Sequence, residues 1–142
     1  MKTTENAGSQ TAFHKIRTLE VTGGFLDGMR LDLGDSLNCL IGGRGTGKTS
    51  VLELIRWTLD HMPDDVEENA RYRSIDRLIQ ANLGTGQATV GIETLNGRRY
   101  QVRRSYGENP LVLGDNGDPV EIDIGRGNIF SIEIYSQNQI EE

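Results

Sequence analysis

The chain has 142 residues, which is the length of one domain. No apolar run in the sequence approaches the roughly 18 residues of a membrane span. The first ten residues lack the apolar core of a secretory signal. A single cysteine, Cys39, cannot form an internal disulfide. These features predict a cytoplasmic globular domain without a membrane partner. The net charge of −6 argues against a nucleic-acid binder that depends on bulk positive charge.

The chain opens with a polar stretch that gives way to an alternating pattern. Residues 1–12 have no hydrophobic pattern and are expected to be a disordered tail, so that residues 13–142 form a single lobe. Alternation after residue 13 predicts a strand that ends at Gly23-Gly24. Residues 25–33 are its predicted hairpin partner, with a turn at Asp27-Gly28.

Two helices are predicted next, after a short apolar run. Residues 37–41 have the composition of a buried central strand. The first helix is predicted from Lys48 to about Asp60, and the second is predicted to be capped by Ser74 and to end at Gly84. The predicted apolar stripe of the first helix consists of Val51, Leu52, Ile55 and Leu59.

The remainder of the chain predicts antiparallel strands. Asn96-Gly97 is the strongest short hairpin signal, and it joins predicted strands at 88–95 and 98–105. A second hairpin is predicted from strands at 111–113 and 120–124, followed by a strand at 129–135.

The residues that indicate chemistry are concentrated in one glycine-rich loop. They match the pattern G-x-x-x-x-G-K-[ST] without a gap, between an apolar run and an amphipathic helix. Glycines let successive backbone N–H groups curve around phosphates, and the helix that follows adds its own N-terminal N–H groups. Lys48 is expected to contact the β- and γ-phosphates, and Thr49 to bind Mg²⁺. The predicted nucleotide-binding residues are Gly42, Gly43, Arg44, Gly45, Thr46, Gly47, Lys48, Thr49 and Ser50.

Two classes of phosphate-loop protein fit the sequence poorly. The base-reading pattern N-K-x-D of GTPases does not occur. A small-molecule kinase usually begins with the strand that leads into its loop, whereas this chain first forms a predicted hairpin over residues 13–33.

The order of elements resembles the N-terminal lobe of ABC-type ATPases of the chromosome-maintenance and DNA-repair branch, which includes the SMC, RecF and RecN proteins. The stretches IRTLEVTGGF and MRLDLGDSLNCLIGGRGTGKTSVLELI are similar to the strand, hairpin, strand and P-loop of that branch. The stretch IGGRGTGKTSVLELIRW is especially similar to TrlF-type AAA-like ATPases, in which the motif more often ends in Lys-Ser. The terminal IYSQNQIEE resembles the Q-loop and aligns Gln137 with its glutamine, with Gln139 as the nearest alternative.

The resemblance implies an α/β P-loop lobe with an antiparallel β subdomain, which binds ATP with Mg²⁺. It implies that Gln137 contacts the metal and the attacking water. No apolar run ending in Asp-Glu and no L-S-G-G motif occurs, so a second, C-terminal ATPase lobe is expected to complete the site in a nucleotide-dependent homodimer. This chain alone is then expected to be inactive as an ATPase. The alternative is a free-standing nucleotide-binding or interaction module that does not hydrolyse ATP.

Other residue clusters have two interpretations each. The arginines at 98, 99, 103 and 104 are either a DNA-facing basic edge or, as we favour in an acidic chain, a solvated and salt-bridged strand. The acidic stretch within 62–69 is interpreted as a solvated loop rather than a metal site. His14 and His61 are interpreted as ordinary surface or packing residues, and Leu54 and Trp57 as core residues of the first helix.

Overall fold

The structure is a computed structural model that describes residues 13–43, 47–63, 69–124, 130 and 132–135. The tail predicted at 1–12 and most of the acidic stretch lie outside the described residues. Within these described residues, five strands form one antiparallel sheet in the spatial order β2-β1-β3-β4-β5, and two helices pack on it. The elements are β1 (Lys15–Thr22), β2 (Arg30–Asp32), α1 (Lys48–Thr58), α2 (Asn69–Leu83), β3 (Gln87–Glu93), β4 (Arg99–Ser105) and β5 (Leu111–Leu113).

The first predicted hairpin is confirmed, but its second strand is shorter than predicted. Residues 25–28 form the turn, with Gly28 at a φ of 83°, and the paired strand begins only at Arg30. The backbone N–H of Phe25 donates to the Asn82 carbonyl at 2.8 Å. A Cβ on Gly24 would lie 2.3 Å from the same carbonyl oxygen, so the chain after β1 is held against the end of α2 and cannot continue as a strand.

The hairpin at Asn96-Gly97 is confirmed in register and in turn geometry. Gly97 has a φ of 77°, which glycine adopts readily, and its N–H donates to the Thr94 carbonyl at 2.8 Å. Across the hairpin, Val90 pairs with Val102 and Ile92 with Tyr100.

The helices deviate from the sequence predictions at two positions. Val51, Ile55 and Leu59 of the predicted stripe are buried, but Leu52 is 44% exposed, and the buried face instead includes Leu54. The prediction that Ser74 caps α2 is wrong, because the helix begins at Asn69 and Ser74 is an exposed residue inside it. Ala, Arg and Tyr between these positions are compatible with helix, so nothing local forces a start at the serine. Gly84 follows α2 with a φ of 56°, as predicted.

The core lies between one face of the sheet and the two helices. Alternate residues of β1, β3 and β4 are buried on this face, while their neighbours are directed to the other face. Trp57 is 4% exposed, which confirms it and Leu54 as core residues. The buried apolar residues include Leu19, Val21, Leu54, Ile55, Leu59, Ile75, Ile79, Leu83, Ala88, Val90, Ile92 and Val102.

The predicted strands at 120–124 and 129–135 are wrong for the residues described. The turn predicted between residues 113 and 120 does form, with an isolated bridge between Leu113 and Pro119 and a hydrogen bond from the Val120 N–H to the Val112 carbonyl at 2.9 Å, but no strand continues through residue 124. Residues 130 and 132–135 are not in a strand either. The N–H of Ile122 donates to the carbonyl of Val120, only two residues earlier, which is a tight turn that bends the chain away from β5.

The predicted central strand at 37–41 is also wrong. These residues are irregular, and Leu37 and Ile41 are 90% and 95% exposed. An apolar run becomes a buried strand only where a neighbouring strand pairs with it, and the described strands pair with one another instead. Within the described part of the chain, neither helix is long and apolar enough to cross a membrane.

Candidate nucleotide-binding site

The glycine-rich loop joins α1 in the arrangement that the motif predicts. Gly47 precedes the helix with a φ of 91°, a left-handed conformation in which a side chain is strained. The N–H of Val51 donates to the Gly47 carbonyl at 3.0 Å and begins the helical pattern. Among the described residues, no side chain caps this terminus and no acidic residue lies in the first turn. Helices usually receive such a cap, so the N–H groups here remain available to an anion.

Lys48 and Thr49 face solvent at this terminus, whereas Ser50 is buried. The Lys48 ammonium donates a hydrogen bond to the carbonyl of Gly42, the first residue of the motif. The two ends of the loop are therefore in contact, and the lysine is directed back across the loop. A phosphate bound inside the loop would lie beside this ammonium.

The structure therefore brings together part of the predicted site. Gly42, Gly47, Lys48 and Thr49 lie around the start of α1. The predicted residues Arg44, Gly45 and Thr46 lie outside the described residues, as does Gln137.

The stretch that leads into the loop is attached to β1 by ion pairs. Asp35 accepts a hydrogen bond from Arg17, and the Lys15 Nζ lies 3.1 Å from the Asp35 Oδ1. The hydrogen bond from Arg17, followed by that from Lys15, lowers the pKa of the Asp35 carboxyl below its usual value. Arg17 also donates to Glu93 of β3, so one guanidinium links the loop entrance to two strands.

Two charged residues of α1 that the motif does not indicate lie in the core. Glu53 and Arg56 are only 4% and 5% exposed, and their Oε2 and Nε atoms are 3.0 Å apart. The Arg56 side chain also donates from Nη2 to the Ile134 carbonyl at 3.1 Å. The signal in the sequence is a charged pair at i and i+3 within the otherwise apolar VLELIRW.

The arginines of β4 divide into structural and exposed side chains. Arg104 donates to the carbonyls of Trp57 at 2.5 Å and Glu108 at 2.9 Å, and its guanidinium lies 4.6 Å from the Trp57 ring centroid. Arg99 is exposed, 3.8 Å from Glu93. These contacts confirm the salt-bridged interpretation for both residues and make Arg104 part of the attachment of α1 to the sheet.

The histidines have packing roles. The His14 ring packs on Phe130 at a centroid distance of 5.1 Å, and the His61 Nδ1 lies 2.7 Å from the Leu59 carbonyl. No group of three or more metal-binding side chains occurs among the residues that the structure describes.

A cavity of about 740 Å³ opens elsewhere in the structure, and none of the described residues of the glycine-rich loop lines it. Its lining is of mixed charge and includes Arg17, Asp32, Asp35, Gly91, Arg99 and Asp115. Anion binding requires free donors, and Arg17 is already paired with two carboxylates. We therefore assign the candidate site to the start of α1 and not to this cavity.

An exposed lysine, an uncapped helix terminus and preceding glycines are the features by which P-loops bind phosphate. A family model described as an AAA domain matches residues 18–140, which is most of the chain. The chain therefore belongs to this AAA domain family of P-loop ATPases. No curated protein sequence matches it.

Proposed function

We propose that this chain binds ATP with Mg²⁺ at residues 42–50 and is the N-terminal lobe of an SMC- or RecF-like ATPase. The observation that carries the proposal is the start of α1. There the helix terminus has neither a side-chain cap nor an acidic residue in its first turn. Among the described residues of the motif, Lys48 is the only one with a charged side chain, and its ammonium lies at this terminus. Both features favour a polyanion.

The roles of the individual residues follow from phosphate chemistry. The Lys48 ammonium neutralises charge on the β- and γ-phosphates after it leaves the Gly42 carbonyl. The exposed Thr49 hydroxyl supplies a ligand to Mg²⁺, while the buried Ser50 supports the first turn through its backbone N–H. Gln137 would contact the metal and the attacking water, a role that rests on the resemblance of IYSQNQIEE to the Q-loop.

A second lobe is the proposed partner of the exposed apolar run. Leu37 and Ile41 present large apolar side chains to solvent directly before the loop, and Leu52 does so on α1. Contiguous exposed apolar residues usually mark an interface. A C-terminal lobe that pairs with residues 37–41 would cover these side chains and supply the acidic pair and signature motif needed for hydrolysis. A nucleotide-dependent homodimer, and a role in DNA repair or genome defence, rest on the family resemblance.

The binding proposal is tested by calorimetric titration with ATP, ADP and AMP, each with and without Mg²⁺. Phosphate recognition predicts that ATP and ADP bind more tightly than AMP, and that Mg²⁺ strengthens ATP binding. Lys48→Ala should weaken ATP binding at least about tenfold, because a charge-assisted contact is lost. Arg98→Ala is the matched control, since it removes an exposed positive charge from the far hairpin and should leave the affinity unchanged. Equal affinities for ATP and AMP would contradict the proposal.

Hydrolysis is a separate question. We propose that this chain binds ATP and releases it unchanged, since phosphoryl transfer also needs acidic support for the metal, and no apolar run ending in Asp-Glu occurs in this sequence. A steady-state phosphate-release assay measures this directly. Turnover of about 1 to 10 per second, abolished in Lys48→Ala, would show that the site is complete without a second lobe.

A further inference from the structure

The buried ion pair of α1 is unusual for a helix that packs on a sheet. Charged side chains are rarely buried unless they are paired, because removing them from water is costly. Glu53 and Arg56 are nonetheless both buried, in a helix whose other inward residues are mainly apolar. An apolar residue at position 56 could not make the hydrogen bond that Arg56 donates to the Ile134 carbonyl.

Arg56 uses two different nitrogens for two different partners. Its Nε lies 3.0 Å from the Glu53 Oε2, and its Nη2 donates to the carbonyl of Ile134 at 3.1 Å. The contact with Glu53 is an ion pair without hydrogen-bond geometry, so the directional contact of the guanidinium is the one to the backbone of a segment 78 residues further along the chain. In the same segment Ile132 and Ile134 pack against the core, and Phe130 is fully buried.

The helix also connects this contact to the candidate nucleotide site. Lys48 is the first residue of α1, and Arg56 follows it by eight residues, or about 12 Å along a helix. The Lys48 ammonium is bonded to the Gly42 carbonyl in this structure. A phosphate would compete for that ammonium, so nucleotide binding would change the partner of Lys48 from the Gly42 carbonyl to the phosphate.

We propose that Arg56 is a positioning residue that couples nucleotide binding at the start of α1 to the segment 130–135. The proposal rests on the proposed function and adds a route by which nucleotide state reaches this part of the chain. In the sequence the segment leads directly to Gln137, two residues after Tyr135. A ligand shifts such an equilibrium only when it binds the two states with different affinities, so the proposal requires that release of Lys48 from the Gly42 carbonyl displaces the start of α1.

The coupling is measured by hydrogen exchange on the whole chain, with and without Mg²⁺ and ATP. In the wild type, nucleotide should slow exchange both in peptides covering 47–52 and in peptides covering 130–135. Arg56→Lys keeps a positive charge beside Glu53, but a single ammonium cannot hold both partners at their separate positions. This variant should keep the response at 47–52, while nucleotide-dependent protection at 130–135 falls about tenfold, as expected for one charge-assisted hydrogen bond.

Arg104→Lys is the matched control. Arg104 also donates to a backbone carbonyl of this helix, that of Trp57, but it does so from β4 and not toward residues 130–135. It should lower stability without removing the response at 130–135. If Arg56→Lys does not fold, the double variant Glu53→Leu with Arg56→Met replaces it, because apolar replacement of a buried ion pair is often tolerated. This double variant should also lose the nucleotide-dependent protection at residues 130–135.

The outcomes separate the two proposals. A full response at 130–135 in the Arg56 variant would make Arg56 a structural residue only, and an equal loss in Arg104→Lys would attribute the effect to general loosening of α1. A wild-type response at 47–52 without one at 130–135 would overturn the coupling but leave nucleotide binding intact. A wild type without any response at 47–52 would overturn nucleotide binding itself.

Discussion

Replacing Arg104 by methionine should destabilise the fold, whereas the same replacement of Arg99 on the same strand should not. The Arg104 guanidinium donates to the carbonyls of Trp57 and Glu108, lies over the Trp57 ring, and is 3.4 Å from the Asp60 carboxylate. A hydrogen bond from a charged group contributes about 1.5 to 3 kcal/mol. A cation–π contact contributes about 0.5 to 2 kcal/mol, and an ion pair to a half-exposed carboxylate less than about 1 kcal/mol.

These contributions do not add fully. The Trp57 carbonyl still accepts a hydrogen bond from the Asp60 N–H at 3.1 Å, so it is not left without a partner. Methionine also retains part of the apolar contact with the tryptophan ring. We therefore expect Arg104→Met to lower the free energy of unfolding by about 2 to 3 kcal/mol. Arg99 is exposed and makes one ion pair at 3.8 Å, so its loss should cost less than about 0.5 kcal/mol.

Urea denaturation followed by tryptophan fluorescence measures both variants, because Trp57 is the single tryptophan and lies at the contact. The midpoint for Arg104→Met should fall while the slope stays unchanged, which indicates a change in stability and not in the unfolded state. Equal losses for the two variants, or a loss below about 0.5 kcal/mol for Arg104→Met, would refute the assignment of Arg104 as the residue that attaches α1 to the sheet.

Three further predictions concern stability. Leu54→Ala should lower the free energy of unfolding, measured by urea denaturation, by about 2 to 5 kcal/mol, because Leu54 is fully buried. Leu52→Ala should lower it by less than about 1 kcal/mol, because Leu52 is 44% exposed. The reverse order would show that the buried face of α1 is misassigned. Gly86→Ala should destabilise the fold by more than about 1 kcal/mol, because the new Cβ would lie 2.2 Å from the backbone carbonyl oxygen of the last residue of β1. Gly34→Ala is the control, because the nearest atom to its Cβ would be 3.7 Å away. Similar urea midpoints for the two variants would contradict the close approach at Gly86. The lowered pKa of the Asp35 carboxyl stabilises the fold at pH values above the unfolded-state pKa, and this contribution is lost as the pH falls below about 4. The melting temperature of Asp35→Asn should therefore depend less on pH in that range than the melting temperature of the wild type. Identical acid profiles for the two proteins would count against the ion pairs at the loop entrance.

Local signals in the sequence predict the parts of the fold that local geometry determines. Asn-Gly at 96–97 predicts a turn with positive φ, and both the turn and the pairing of the flanking strands are as expected. Gly47 and Lys48 of the glycine-rich motif likewise predict that α1 starts at Lys48, because in this motif the helix begins directly after the last glycine. The motif alone is therefore sufficient to locate the candidate site.

Features that depend on distant segments are not predictable in this way. The run 37–41 has the composition of a central strand, yet its burial depends on a neighbour that the described sheet does not provide. The second strand of the first hairpin is shortened because Phe25 binds the Asn82 carbonyl, a contact between residues far apart in sequence. The Arg56 contact with Ile134 is hidden for the same reason, since a helix pattern does not show which segment packs on the helix end.

The central claim is that ATP phosphates bind at the start of α1. The most direct measurement is a titration of isotope-labelled protein with ATP and Mg²⁺ in which backbone amide resonances are followed by NMR. The account predicts the largest shifts at Gly47, Lys48 and Thr49, which lie at the uncapped start of α1, and predicts that Lys48→Ala strongly reduces them at the same ATP concentration. Saturable ATP binding with shifts confined to the residues that line the separate cavity, such as Thr18 and Gly91, would contradict it.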